Sequence, residues 1–314
     1  MSTPGWHEQA IPAHSPEVSV GYLEELAGLA GKRAVIIGGA GGLGALSSLA
    51  LHRAGAELVV LDRDGDAVAA LRADLGAGVQ FVVGDAREST ALDEVAAAAG
   101  DTVDILVNVV GGTFWSELES LSENAINSLV RLNFLAPVQA IRRFLPQLRA
   151  ASERNGTQGA SIINVTSIEA HRGAPSCSVY AAMKAALTSM SASLAVELAP
   201  SNIRVNTIAP DIVETPALVG LLGHETADEQ AVAARYAATI PLERGGGADD
   251  WAGGLLFLAS GLSRYVTGQA LHIDGGSSAA AGFTRWSGEG WFPFLPLSVT
   301  SHMPEIDRLR GVSS

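Results

Sequence analysis

The chain is 314 residues long, 47% apolar and only 5% aromatic, with a formal net charge of −13; that length buries a core without disulfides or a structural metal, in one large domain or two modest ones. The charge is spread along the chain with no Lys/Arg cluster to neutralise a row of phosphates, so no nucleic-acid partner is expected. Cys177 is the only cysteine, which excludes an intrachain disulfide and a thiolate zinc site and fits a reducing cytoplasm.

Residues 1–30 carry Pro, His and Glu without a basic start or a long apolar stretch, and so do not read as a secretory signal. No uninterrupted apolar run approaches the roughly 20 residues that span a bilayer, and no membrane span is expected. From Arg33 onward, short β-branched runs alternate with longer alanine-rich amphipathic stretches. The pattern predicts strands at 34–38, 57–62, 79–84, 103–108, 161–166, 204–208 and 270–273, with helices between them. Most of these strands are apolar throughout, as a sheet covered on both faces requires. The expectation is an α/β fold, a single Rossmann-like doubly wound parallel sheet flanked by helices, over residues 31–276. Residues 1–30 and 277–314 are read as N- and C-terminal extensions.

The first strand runs into Gly38-Gly39-Ala40-Gly41-Gly42-Leu43-Gly44 and then a helical stretch. Glycines in that position let the backbone approach a pyrophosphate, while the free N–H groups and dipole of the helix offset its charge. The second strand ends at Asp62, 18 residues after Gly44. A carboxylate there accepts hydrogen bonds from both ribose hydroxyls and repels a 2′-phosphate, which favours NAD over NADP, although neighbouring Arg63 has the charge to attract that phosphate. Ser167 follows the strand at 161–166, where open α/β sheets place their active sites. Tyr180 and Lys184, four apart in the helical stretch 179–198, fall on one helix face. A free phenol titrates near ~10, and a neighbouring ammonium favours its ionised form, so Tyr180 is the candidate proton-transfer group.

Taken together, these motifs resemble the short-chain dehydrogenase/reductase family over residues 31–276. The resemblance is carried by the glycine turn ending Gly42-Leu43-Gly44, Asp85 after the third strand, Asn108 after the fourth, Asn133 in the next helix, Ser167, Tyr180-Ala-Ala-Met-Lys184, Asn206 with Pro210 and Thr215, and the closing Tyr265-Val-Thr-Gly-Gln through Asp274-Gly-Gly276. It implies an NAD-dependent oxidoreductase interconverting a small-molecule secondary alcohol and ketone, assembled as a homotetramer or homodimer, often through the helix bearing Tyr180, with no metal at its site. Tyr180 would then be the acid/base, with Lys184 lowering its pKa and binding the nicotinamide ribose, Ser167 orienting the substrate oxygen and Asn133 supporting a relay water. Gly38, Gly42, Leu43, Gly44, Asp62, Asp85, Ala86, Asn108, Ile208, Pro210 and Thr215 would line the cofactor site, Asp85 against the adenine.

Three positions depart from the family pattern. Ile37 replaces a hydroxyl residue before the glycine turn, Asn108-Val-Val-Gly111 replaces Asn-Asn-Ala-Gly and is expected to cost the sheet a polar tie, and Asp211 replaces Gly. Around the site, His171 is either a contact to a polar group of the substrate or a surface histidine, and Cys177 is a small packing residue. The segment 214–241 falls where the family carries a substrate lid. Its Leu218, Val219, Leu221 and Leu222, with Phe114, Trp115 and the aromatic tail (Phe283, Trp286, Trp291, Phe292, Phe294), would suit a hydrophobic substrate such as a steroid, terpenoid or lipid-derived alcohol. The tail itself packs on its own subunit, reaches a neighbour, or meets a membrane surface, in that order of expectation. Competing readings are an NAD-binding sensor or scaffold without catalysis and, among enzymes, a dehydratase, epimerase or enoyl reductase.

Overall fold

The computed structural model describes residues 21–280, apart from 216, 217, 220, 221 and 223–227, together with 282–286 and 290–293. Leu221 and Phe294 lie outside the described residues, as does the side chain of Trp286. All seven expected strands form: β1 (Arg33–Ile37), β2 (Glu57–Asp62), β3 (Gln80–Val83), β4 (Ile105–Asn108), β5 (Ala160–Val165), β6 (Ile203–Pro210) and β7 (Ala270–Ile273). They pair in parallel in the order β3-β2-β1-β4-β5-β6-β7. The chain winds outward from β1 in one direction and then, from β4, in the other, which opens a crevice beyond the carboxyl ends of β1 and β4.

Side chains alternate across each strand, and the two faces are covered by different helices. Ala34 and Ile36 of β1 pack with Val60 under α2 (Gly42–Arg53), α3 (Gly65–Leu75) and, further along the sheet, α9 (Ala248–Ala259). Val35 and Ile37 join Leu61 under α4 (Ser89–Ala99), α6 (Ala136–Asn155) and α7 (Ser178–Leu198). Trp251 of α9 is fully buried, and its indole Nε1 donates to Ser47 Oγ on α2 at 2.9 Å, so the largest core side chain also has its polar atom satisfied. Helix α7, continued through Ser201, is long and apolar enough to cross a membrane by length and composition alone. Its buried residues Ala181, Lys184, Leu187, Ser191, Ala195 and Leu198 form the stripe that packs on the sheet.

Parts of both extensions are among the described residues. Helix α1 (Tyr22–Ala27) precedes β1 and packs against the turn Gly261–Ser263. After β7 come a short helix α10 (Ser277–Ala280) and an antiparallel hairpin, β8 (Thr284–Trp286) with β9 (Gly290–Phe292). Helix α8 (Glu229–Thr239), which lies between β6 and α9 in the chain, packs against β8, so the described part of the tail lies on its own chain. The remaining helix, α5 (Glu123–Val130), runs through a π-helical turn at Arg131–Leu135 into α6.

At the opposite end of the sheet from the crevice, Asp104 is buried and gathers four partners. Its carboxylate accepts from the Arg33 amide at 2.8 Å, Arg154 Nη2 at 2.8 and 2.9 Å and Asn155 Nδ2 at 2.7 Å, with Lys32 Nζ at 3.6 Å. Burial alone would raise its pKa, but these hydrogen bonds and the Lys32 charge outweigh it and hold the carboxyl below its ordinary value. Because the folded pKa is depressed, the stabilisation is present above the unfolded carboxyl pKa of ~3.9 and is lost as pH falls through the folded value. Asp104→Ala is expected to lower the unfolding free energy by about 3–5 kcal/mol at neutral pH in urea melts, with the deficit shrinking in acid.

Candidate active site

The glycine turn follows β1 directly. Gly38 and Gly39 both donate their amides to the Leu61 carbonyl, at 2.7 and 3.1 Å. A Cβ on Gly44 would lie 1.9 Å from the Gly38 carbonyl oxygen, so the first turn of α2 can approach the turn this closely only with glycine there. Ile37 supplies no hydroxyl, and the turn is tied from the helix instead, where Ser48 Oγ donates to the Gly39 carbonyl at 2.7 Å. Among the described residues, and apart from its chain neighbours, no atom lies within 4 Å of where a Cβ on Gly41 would stand, which leaves an open cradle at the N-terminus of α2, where helix amides lack intrahelical partners. Leu43 is half-buried, and the Thr215 hydroxyl lies 3.8 Å from the Cβ position of Gly42, bringing those residues to the same cradle. Asp62 is fixed beside it: its Oδ2 accepts from the Ala40 amide at 2.8 Å and its Oδ1 from the Asp64 amide at 3.1 Å.

Two expected cofactor residues have their side chains engaged within the protein. Arg87 clasps the Asp85 carboxylate through its side chain and its backbone amide, and the side-chain hydrogen bond in particular holds Asp85 below the ordinary carboxylate range; Ala86 beside it is buried. Asn108 is fully buried, and its amide donates to Asn164 Oδ1 at 2.7 Å, while Asn164 Nδ2 donates to Ser191 Oγ at 2.8 Å. Val109 and Val110 bring no polar side chain here, and the polar tie of this region is made one residue earlier, by Asn108. A chain of amide hydrogen bonds crosses from β4 through β5 to α7, and it runs through Asn164, which the sequence reading did not single out. The only local signal was a lone amide in the apolar run Ser161-Ile-Ile-Asn-Val.

The four candidate catalytic residues converge at the carboxyl end of β5. Asn133 sits in the π-helical turn, fully buried; its Nδ2 donates to the Gly112 and Leu129 carbonyls and its Oδ1 accepts from the Gly112 amide, each at 3.0 Å. Lys184 is 2% exposed, with Nζ donating to the Val165 carbonyl at 2.9 Å and lying 5.8 Å from the centroid of the Tyr180 ring. A Cβ on Gly111 would stand 2.6 Å from Lys184 Nζ and 3.0 Å from Asn133 Oδ1, so the strand β4 exit, the π turn and α7 meet at one point that only glycine leaves open. Ser167 is buried and accepts the Glu169 amide at 3.2 Å, and its hydroxyl is near enough to the Tyr180 phenol to favour the ionised form.

The expectation that Lys184 acidifies Tyr180 is corrected for the chain by itself. Burial raises the phenol above its ordinary value, the nearby Glu169 and Cys177 raise it further, and the Ser167 hydroxyl pulls the other way. The ammonium reaches the Val165 carbonyl rather than the phenolic oxygen, and burial brings Lys184 itself down to about 8.

Around this centre, Ser116 donates its amide to the Ser176 carbonyl at 2.9 Å and Thr113 Oγ1 lies 3.7 Å from Cys177 Sγ, which sets the exposed Phe114 and Trp115 beside the start of α7. Across the site, the His171 and His272 rings meet at a tilt of 59° with centroids 4.6 Å apart. Burial raises the Asp211 carboxyl, partly offset by the Ser277 hydroxyl and Arg172; Arg172 also pairs with Glu169 at 2.7 Å. Pro210 and Ile208 are buried at the end of β6. Leu218, Val219 and Leu222 are half-buried at the start of the segment after Thr215.

In the unfolded chain lysine titrates near ~10.4, so between about 8 and that value the unfolded state holds the Lys184 proton more tightly and folding stability rises with pH. Lys184→Met removes this linkage. Its stability relative to the parent chain should decline steadily from about pH 8 to pH ~10.4 in urea melts, and a pH-independent difference would contradict the buried ammonium.

The comparisons with known proteins agree with this geometry. The profile of the family described as Enoyl-(Acyl carrier protein) reductase matches residues 38–278. An uncharacterized oxidoreductase of Methylorubrum extorquens is 35% identical over 79% of this chain and 98% of its own length, and the L-xylulose reductase of Bos taurus is 32% identical over 79% and 97%. Among solved structures, the 3-ketoacyl-(acyl-carrier-protein) reductase of Brucella melitensis, complexed with NADH, superposes with a TM-score of 0.71 at 30% identity over 80% of this chain and 99% of its own. With the doubly wound sheet and the separated motifs, these matches make the chain a member of the short-chain dehydrogenase/reductase family.

Proposed function

We propose that the protein is an NAD(H)-dependent oxidoreductase that interconverts a secondary alcohol and a ketone, with Tyr180 exchanging the proton of the substrate oxygen. The observation that carries this reading is the buried Lys184 ammonium, fixed on the Val165 carbonyl beside the Tyr180 ring at the carboxyl end of β5. The dinucleotide, when bound, supplies or accepts the hydride. Everything else is the work of side chains in place. The open cradle at Gly41 and the N-terminus of α2 suit a pyrophosphate, and a Cβ at Gly44 would close the turn. Asp62, held at that turn, has lone pairs left for ribose hydroxyls and a charge that opposes a 2′-phosphate, which supports NAD over NADP. Ser167 orients the reacting oxygen toward Tyr180, and Lys184, once near a nicotinamide ribose, stabilises the ionised phenol. Asn133 holds the Gly112 backbone at the rim where a relay water would sit.

The exposed Phe114 and Trp115 beside the start of α7, and the half-buried Leu218 and Val219 after Thr215, support a substrate with a hydrophobic body, of steroid, terpenoid or lipid-derived type, over small polar polyols. The exposed Val196 on α7 supports assembly as a homodimer or homotetramer through that helix, and the single buried cysteine supports a cytoplasmic setting.

Tyr180→Phe should lower kcat by about 10²–10⁴-fold, read by reduced-nicotinamide absorbance on a panel of secondary alcohols, while dinucleotide affinity by calorimetry stays near that of the parent chain. Full activity in this variant would reject the assignment, and dinucleotide binding without turnover in the parent chain would favour a sensor. Asp62→Ala should shift the ratio of kcat/KM for NAD over NADP toward NADP by about tenfold or more. An unchanged ratio would remove Asp62 from cofactor choice.

A further inference from the structure

On the face of the sheet that α7 covers, side chains stand in rows across the central strands. Val35, Leu106, Ile162 and Val205 form one row, apolar throughout and buried in the core. The next row toward the crevice is Ile37, Asn108, Asn164 and Thr207, polar at three positions of four and equally buried. Burying amides where apolar side chains would pack is costly unless they are hydrogen-bonded, and here the bonds lead out of the sheet. Asn108 Nδ2 donates to Asn164 Oδ1 at 2.7 Å, Asn164 Nδ2 to Ser191 Oγ of α7 at 2.8 Å, and Ser191 Oγ to the Leu187 carbonyl of the same helix at 2.7 Å.

Two features connect this chain of bonds to the reaction centre. Asn164 immediately precedes Val165, whose carbonyl receives Lys184 Nζ, and Ser191 lies seven residues after Lys184, about two turns along the same helix face. α7 therefore meets neighbouring residues of β5 twice, once through Ser191 and once through Lys184. The two contacts differ in stiffness. A lysine head group sits on a flexible four-carbon stem, so its single bond to a carbonyl does little to locate the helix. The bond between Asn164 and Ser191 joins two short side chains, and sliding α7 by one residue's rise, about 1.5 Å, would break it. Lys184 Nζ tolerates little displacement of its own, since a Cβ on Gly111 would stand 2.6 Å from it.

We propose that Asn164 is a positioning residue: its bonds to Asn108 and Ser191 fix where α7 sits along β5, and so place the Lys184 ammonium on the Val165 carbonyl beside the Tyr180 ring. The kinetic consequence rests on the oxidoreductase reading above; the placement of Lys184 does not.

The test reads Lys184 directly. Lys32 and Lys184 are the only lysines in the chain, so lysine labelled with ¹³C at Cε gives two NMR signals, and the titration midpoint of Lys184 can be followed without substrate. Asn164→Leu, which is nearly isosteric, and Ser191→Ala each remove the tie. Both should raise the midpoint from about 8 toward the ordinary lysine value of ~10.4, as a displaced ammonium gains water. Ser191→Thr keeps the hydroxyl and should hold the midpoint at about 8, and the double variant Asn164→Leu with Ser191→Ala should go no further than the larger single effect. On the best alcohol, the two single variants should lower kcat about three- to tenfold near neutral pH with KM within about twofold, and the loss should fade at alkaline pH as the phenol ionises without help. An unchanged Lys184 midpoint in Asn164→Leu and Ser191→Ala overturns the proposal, even if both variants melt earlier, as does a kcat loss that is the same at every pH. Should Asn164→Leu not fold, Ser191→Ala decides, since it removes one oxygen from the helix side alone. If the parent chain turns over no alcohol, a raised midpoint still upholds the placement, and the missing turnover counts against the oxidoreductase assignment alone.

Discussion

A buried ammonium that has no carboxylate partner among the described residues is the constraint around which this site is organised. Among those residues Lys184 Nζ has a single hydrogen bond, to the backbone carbonyl of Val165, and that carbonyl is available because β5 ends there. Desolvation of a lysine is costly, and the cost here is visible in its lowered pKa. The surrounding structure must therefore hold the side chain in place, and it does so from three directions. α7 is anchored to the sheet through Ser191 and Asn164, the β4 exit supplies a glycine at 111, and the π turn brings Asn133 to the same point. Such an arrangement does little for folding stability. Its value is electrostatic, since a preorganised positive charge beside a phenol costs no reorganisation when the phenol must ionise.

The phenol itself is not ready in the chain alone. Burial, Glu169 and Cys177 all disfavour its ionised form. On the proposed function, the protein would hold a cation and a hydroxyl in position, and an oxidised nicotinamide would bring the further positive charge that the phenol lacks in the chain alone.

Much of the fold was legible from the sequence because it rests on local pattern. The seven apolar runs became seven strands, with ends displaced by a residue or two where hydrogen bonding and patterning disagree, as at Val103, which lies before β4, and Pro210, which extends β6. The glycine turn, Asp62, and the Ser167–Tyr180–Lys184 cluster were placed correctly relative to strands and helices, since each follows a strand end or shares a helix face. What was missed depends on tertiary neighbours. Ser48 replaces the absent hydroxyl at position 37 from a different element, Asn164 carries a tie between strands adjacent in space but far apart in sequence, and Asp104 collects the two cations Lys32 and Arg154 and the Arg33 amide from distant parts of the chain. The pKa of Tyr180 was misjudged for a related reason. Helical spacing shows that Lys184 is near, but not that its Nζ reaches a carbonyl of another strand instead of the phenolic oxygen.

The π-helical turn at Arg131–Leu135 deserves a last consideration as a matter of chain length. Such a turn amounts to one residue more than an α-helix would need, absorbed without unwinding the flanking helices. Deleting a single residue there would let α5 and α6 fuse into one regular helix and rotate everything on one side by about 100° relative to the other. Either Asn133 would swing away from Gly112 or the apolar stripe of α6, with Phe144 and Leu148, would leave the sheet. The extra residue lets one continuous helix face the core at one end and the reaction cleft at the other, so the spacing between these two surfaces is encoded by a count of residues, independently of which residues they are.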